Sequence, residues 1–189
     1  MARLTDIAKD WLTECIREGN HVIDATLGNG FDTLFLAQQV GASGHVFGFD
    51  VQQQALTATQ TLLQHQPCQQ SFFLSGHEAM AKHIPNALHG HIQAIMFNLG
   101  WLPNSDKNII THADTTIAAL EQSLALLSPS GRLSIMLYPG HQGGDTEAEL
   151  VMTWLQATCS GETGFTLQKT TVANRPKAPI LLQIQQEIV

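Results

Sequence analysis

The sequence predicts an α/β fold: a mostly parallel sheet with helices on both faces and an antiparallel hairpin strand at the C-terminal end. Three observations predict it. Short apolar runs alternate with helical-period stretches along the chain. The runs at 21–25, 45–50 and 92–97 are apolar almost throughout, as strands covered on both faces are. Only the last two strand-like runs, 165–172 and 179–188, follow one another without a helix between them.

Leu4, Ile7, Ala8, Trp11, Leu12, Cys15 and Ile16 recur at three- and four-residue intervals, the period of one helix face. Thr5 or Asp6 supplies the start of that helix and Gly19-Asn20 its stop. His21 to Ala25 reads as a buried strand, Leu27 to Gly30 as a glycine turn, and Asp32 to Val40 as a helix closed by Gly41. His45 to Asp50 is the next strand, Gln52 to Gln64 a helix, Ser71 to Leu74 a strand, and Glu78 to Ile84 a short helix or irregular segment. Ile92 to Phe97 is a strand running into a loop, Asn98 to Lys107. Asp114 to Leu127 is a longer helix ended by the turn Ser128-Pro129-Ser130-Gly131. Arg132 to Tyr138 is a strand, Pro139 to Asp145 a polar glycine loop, and Thr146 to Thr158 a helix. Phe165 to Val172 and Pro179 to Ile188 close the chain, joined by Asn174-Arg175-Pro176-Lys177.

Composition narrows the class. At 189 residues, 43% hydrophobic and 13% charged, the chain suits one domain spanning 1–189. No run of about 18 apolar residues appears, so no membrane span is expected. Charged residues are scattered through the first twenty positions, unlike the apolar block of a secretory signal. Cys15, Cys68 and Cys159 are odd in number and far apart, with neither metal-ligand nor disulfide spacing, which points to a reducing cytoplasm. His83, His89, His91 and His112 lack metal-like partners and read as surface or interface residues, so no metal is expected. The formal charge of -7 argues mildly against a polyanion partner unless a local basic patch meets it.

The chemistry concentrates at predicted strand ends. Asp24-Ala25-Thr26-Leu27-Gly28-Asn29-Gly30-Phe31-Asp32-Thr33 joins the first strand to its helix. Glycines at 28 and 30 allow a tight turn and close approach to a ligand, and the helix aims its amide end at that ligand. Thr33 stands where a dinucleotide fingerprint has its third glycine. The acidic residue that opens the motif suits instead a cofactor with a cationic amino group and a sulfonium. Asp50, twenty positions past Gly30, ends the second strand and is placed to accept both ribose hydroxyls of an adenosine. The expected cofactor set is Asp24, Thr26, Gly28, Asn29, Gly30, Asp32, Thr33, Asp50 and Gln52. His77 and Glu78 join it as contacts to the base, although a simple helix cap accounts for them almost as well.

Asn98-Leu99-Gly100-Trp101-Leu102-Pro103 follows the fourth strand, where the reactive centre of a doubly wound sheet belongs. Its Asn, aromatic and Pro resemble the Asn-Pro-Pro-Tyr loop of amino-directed methyltransferases, with Leu-Gly-Trp in place of Pro-Pro-Tyr. Trp101 is either a stacking platform for a splayed base or a core residue. Tyr138-Pro139-Gly140-His141-Gln142-Gly143-Gly144 follows the fifth strand. Its His141 has the acid–base range to take a proton from an attacking ammonium, the alternative being an exposed turn. Arg175 and Lys177 hold phosphates or simply solvate a hairpin turn.

Taken together, Asp24–Thr33, Phe97–Lys107, Tyr138–Gly144 and Asn174–Pro179 resemble the small bacterial proteins described as putative rRNA methylases. The resemblance covers nearly the whole chain, and its last three motifs are more specific than its first. Members of that family methylate the 5-aminomethyl group of (2-thio)uridine at the tRNA wobble position. The resemblance implies a class I methyltransferase Rossmann-like sheet, S-adenosyl-L-methionine as cofactor, and the tRNA anticodon region as partner. It implies that Asp24, Gly28, Gly30, Asp32 and Asp50 hold the cofactor and that Asn98, Tyr138 and His141 line the reactive amine. Asn98 also borders the cofactor, and Trp101, Pro139, Gly140, Arg175 and Lys177 meet the substrate. Ribosomal RNA, a small-molecule amine, and a non-catalytic nucleotide-binding role are the competing readings. A homodimer through Trp11 or the last strand is a further expectation.

Overall fold

The computed structural model describes residues 3–100, 110–140, 143–160, 164–175 and 177–186. β1 (His21–Asp24), β2 (His45–Asp50), β3 (Gln69–Leu74), β4 (Ile92–Asn98), β5 (Leu127–Leu137), β6 (Phe165–Thr171) and β7 (Ile180–Gln186) form one seven-stranded sheet. Their order is β3-β2-β1-β4-β5-β7-β6. β1 to β5 pair in parallel, and β7 runs antiparallel to both β5 and β6. The mostly parallel sheet with a C-terminal hairpin is therefore as the sequence predicts.

Alternation along the central strands sends neighbouring side chains to opposite faces. Val22, Val46, Ala94 and Met96 pack with Leu12, Leu36, Val40 and Leu63 from the side of α1 (Leu4–Thr13), α2 (Phe31–Val40) and α3 (Gln53–Leu62). Ile23, Phe47, Ile95 and Phe97 pack with Met80, Leu120, Val151 and Leu155 from α4 (Met80–His83), α5 (Ala113–Leu126) and α6 (Gly144–Thr158). β3 and β6 lie at the sheet edges, which accounts for their mixed sequences, Gln-Gln-Ser-Phe-Phe-Leu and Phe-Thr-Leu-Gln-Lys-Thr-Thr. Polar and charged side chains on an edge discourage pairing with another chain. Among the described residues, no helix is long and apolar enough to cross a membrane.

Two boundaries differ most from the sequence reading. α1 ends at Thr13, leaving Cys15 and Ile16 in the connection to β1. Ser128–Gly131, expected as a turn, lies inside β5, which begins directly after α5. Ile92 pairs with Leu127 and Ala94 with Arg132, so the extra residues form an irregularity in the ladder. The side chain of Gln93 holds it there: Ser128 Oγ donates to Gln93 Oε1 at 3.1 Å, and Gln93 Nε2 donates to the Ser130 carbonyl at 3.0 Å. Turn-forming residues stay in the sheet because a neighbouring amide satisfies them.

Candidate active site

The strand order reverses between β1 and β4, and a crevice opens there at the carboxyl ends of the strands, where open α/β sheets bind ligands. Its volume is about 530 Å³, within the range of small-molecule sites. Thr26 to Asn29 after β1, Asp50 to Gln52 at β2, Gly76 to Glu78 after β3, Asn98 to Gly100 at β4 and Tyr138 after β5 all line it. Among the described residues its wall carries Asp32, Asp50 and Glu78 and no Lys or Arg. Such a wall repels phosphates and accepts a cation.

Asp50 ties the wall together. Its Oδ2 accepts the Gly28 N–H at 3.0 Å and its Oδ1 accepts the Gln52 N–H at 2.9 Å. A carboxylate offers about four acceptor positions, so one on each oxygen is left for a further donor. Gly28 makes this possible with a φ of 54°, in the left-handed region that side chains disfavour. Gly30, with φ of 81°, serves packing: a Cβ there would stand 2.9 Å from Thr59 Oγ1 of α3. On the far wall His77 is buried, with Nδ1 3.3 Å from the Ala25 carbonyl and its ring tilted against Phe97. A carbonyl only accepts, so Nδ1 carries the proton. Burial pushes the imidazole pKa down and keeps it neutral, leaving Nε2 as an acceptor.

Asp24 lies behind the loop, 1% exposed and away from the cleft wall. It accepts the Thr33 hydroxyl at 2.6 Å and the Thr26 N–H at 3.1 Å. Burial, then the nearby Asp32 carboxylate, push its pKa up to about 7 from an ordinary 3.8. The folded chain therefore binds this proton more tightly than the unfolded chain, and stability from this group falls as pH rises through that window. We expect Asp24→Asn to gain in Tm relative to the parent between about pH 4 and about pH 8. Thermal unfolding of both proteins across that range checks it; a pH-independent difference would show Asp24 ionised throughout.

A polar chain crosses the cleft at the ends of β4 and β5. Lys9 of α1 reaches Asp32 Oδ1 at 2.7 Å. Asp32 Oδ2 accepts from Asn98 Nδ2, and Asn98 Oδ1 accepts the Tyr138 hydroxyl at 3.0 Å. Because a carboxylate can only accept, Asp32 fixes which way the Asn98 amide faces. The Asn98 N–H donates to Thr26 Oγ1 at 2.8 Å, so backbone and side chain are both held. Burial, then the Asp32 charge, push the Tyr138 phenol up, and it stays a donor.

Several expected site residues stand elsewhere. Thr26, Gly28, Asn29, Asp32, Asp50, Gln52, His77, Glu78, Asn98 and Tyr138 line the cleft, whereas Asp24, Gly30 and Thr33 support it from behind. Pro139, Gly140, Arg175 and Lys177 are not in its wall; Lys177 packs beside Gly140, placing the hairpin loop at the same end of the sheet. Trp101 and His141 lie outside the described residues. Missed by the sequence reading were Lys9 and a buried support around Glu147, whose Oε2 and Oε1 accept the Thr111 and Thr116 hydroxyls, each at 2.8 Å. Thr111 Oγ1 in turn accepts the Gly100 N–H at 2.9 Å, and Thr111, His112 and Thr115 line the cleft. Nothing local marks these residues, because the partners are 31 and 36 positions apart. Among the described residues, no group of three metal-ligating side chains occurs.

Comparison with known proteins identifies the family. Residues 46–186 match the family described as "Putative rRNA methylase". The chain is 35% identical, over 95% of its length and 68% of the relative's, to an Arabidopsis thaliana protein named tRNA (mnm(5)s(2)U34)-methyltransferase, chloroplastic. A crystal structure of a putative rRNA methylase from Clostridium thermocellum superposes with a TM-score of 0.91 at 35% identity, covering 98% of both chains. A putative methyltransferase from Streptococcus mutans, crystallised with SAH, superposes at 0.86 with 32% identity, covering 98% of this chain and 99% of that one. An acid-lined cleft at the switch point and these matches lead to one conclusion: the chain belongs to the rRNA methylase family and is an S-adenosylmethionine-dependent methyltransferase of the class I fold.

Proposed function

We propose that the protein methylates the exocyclic primary amine of 5-aminomethyl-(2-thio)uridine at the tRNA wobble position, giving 5-methylaminomethyl-(2-thio)uridine. The observation that carries the reading is the Asn98 amide, locked between Asp32 and Tyr138 at the end of β4. The relative that is 35% identical and named for that wobble nucleoside supports it.

S-adenosylmethionine, when bound, supplies an electrophilic methyl group. Asp50 would hold the ribose, the neutral His77 would face the base, and the acidic wall would receive the cationic end. Asn98 Oδ1 has a second acceptor position, which takes an N–H of the amine and aligns the nitrogen lone pair with the methyl group. The nucleophile must be the free amine, and a bare carboxylate beside it would hold it as ammonium. Lys9 pairs with Asp32 and offsets part of that charge. None of the three cysteines lines the cleft, consistent with attack by an amine that needs no thiol adduct.

Nucleosides from bulk tRNA of a strain lacking the gene test the proposal by mass spectrometry. Accumulation of 5-aminomethyl-(2-thio)uridine with loss of its methylated product is the expected result. An unchanged tRNA profile with a methyl mark missing from ribosomal RNA would transfer the activity to the substrate in the family's description.

A further inference from the structure

Phe31 is the first residue of α2 and is 67% exposed, a large aromatic left outside the core. It lines the reaction cleft and also a shallow groove on the outer side of α3, so the two are continuous at its ring. The groove floor is Gln53, Gln54, Thr57 and Thr61, with the half-exposed Leu62 at its far end. From Val51 to Leu74 the chain carries no Asp, Glu, Lys or Arg and has eight glutamines. In a protein of net charge -7, this is a long neutral stretch, and its first residues, Val51 and Gln52, line the cleft while Gln53 to Leu62 supply the groove.

We infer that this shelf binds the substrate's single-stranded RNA next to the target nucleotide, with an unpaired base stacked on Phe31. The inference rests on the proposed RNA substrate and names how the chain holds it. Single-stranded RNA is recognised by splaying bases onto aromatic faces and reading their edges. Phe31 offers the face, and the Gln53 and Gln54 amides offer both donors and acceptors to a base edge. An uncharged floor leaves the adjoining phosphates without the repulsion that the acidic surface elsewhere imposes. A second copy of this chain fits less well, because pairing two such shelves would bury glutamine amides around only a few apolar side chains.

The test uses the full-length protein and an RNA hairpin with 5-aminomethyluridine in its loop and 2-aminopurine beside it. Phe31→Ala should raise the KM for the hairpin about tenfold, with a much smaller change in kcat, and Phe31→Trp should restore it. The fluorescence quench of the 2-aminopurine on binding should disappear in Phe31→Ala and return in Phe31→Trp. Affinity for S-adenosylmethionine, measured by calorimetry, should stay unchanged. An unaltered KM and quench would overturn the inference, as would an equal loss of cofactor affinity, which would make Phe31 a cover for the cofactor. A fall in molar mass from dimer to monomer in Phe31→Ala would assign the shelf to a second copy. The quench is read with or without turnover, so a parent protein that binds the hairpin but fails to methylate it would count against the proposed reaction alone.

Discussion

Asn98→Ala should lower kcat for methyl transfer by about 10² to 10³-fold, the usual loss when one preorganised polar contact at a reacting centre is removed. The expectation comes from what the side chain does at both ends. Nδ2 is held by Asp32 and Oδ1 accepts from Tyr138, so the amide is a fixed acceptor rather than a rotor. Truncation removes the acceptor and leaves the Tyr138 hydroxyl, itself only partly buried, free to turn away. The chain Lys9–Asp32–Asn98–Tyr138 predicts a graded series. Tyr138→Phe should cost about tenfold, because Asp32 still sets the amide's orientation. Lys9→Ala should cost a similar factor and shift the rising limb of the pH–rate profile upward. With Lys9 gone the Asp32 charge is uncompensated, and the substrate amine stays protonated to higher pH. Single-turnover rates at saturating cofactor across pH measure all three. An Asn98→Ala enzyme at the parental rate would remove the amide from the reaction, whatever the other variants did.

The parts of this site legible in the sequence are those built from near neighbours. Asp24–Thr33 announces itself because its glycines, acid and helix start fall within ten positions, and the strand before it is apolar on both faces. Asp50 is legible because strand and helix lengths fix its distance from Gly30. Division of labour within the motif is not legible, since it depends on which way each side chain leaves the loop. Asp32 and Thr33 are adjacent, yet one lines the cleft and the other hydrogen-bonds Asp24 behind it. Lys9 escaped for a related reason: an isolated lysine on an amphipathic helix normally points to solvent. Only the docking of α1 against β5 and β7 brings its ammonium to Asp32. Ser128–Gly131 shows the same limit in the fold, because turn chemistry is local and Gln93, which overrides it, comes from another strand.

Asp50→Ala should raise the dissociation constant for S-adenosylmethionine about 10²-fold, reflecting the loss of two charge-assisted hydrogen bonds to the ribose. A second effect should accompany it in the free protein. Asp50 also accepts the Gly28 and Gln52 N–H groups, so the left-handed turn at Gly28 loses its anchor and the apo-protein loses Tm. Asp50→Asn separates the two roles: its single carbonyl oxygen still accepts one backbone N–H and one hydroxyl, so about tenfold weaker binding is expected. Calorimetric titration measures both variants, and thermal unfolding without cofactor reports the turn. Asp50 is proposed to hold the ribose, and among the described residues its hydrogen bonds go to the Gly28 and Gln52 N–H groups rather than to the Asn98–Tyr138 pair, so kcat at saturating cofactor should return close to the parental value in Asp50→Asn. No excess of cofactor should rescue Asn98→Ala. Recovery in the second and not the first would exchange their places, putting Asp50 beside the reacting nitrogen and Asn98 with the cofactor.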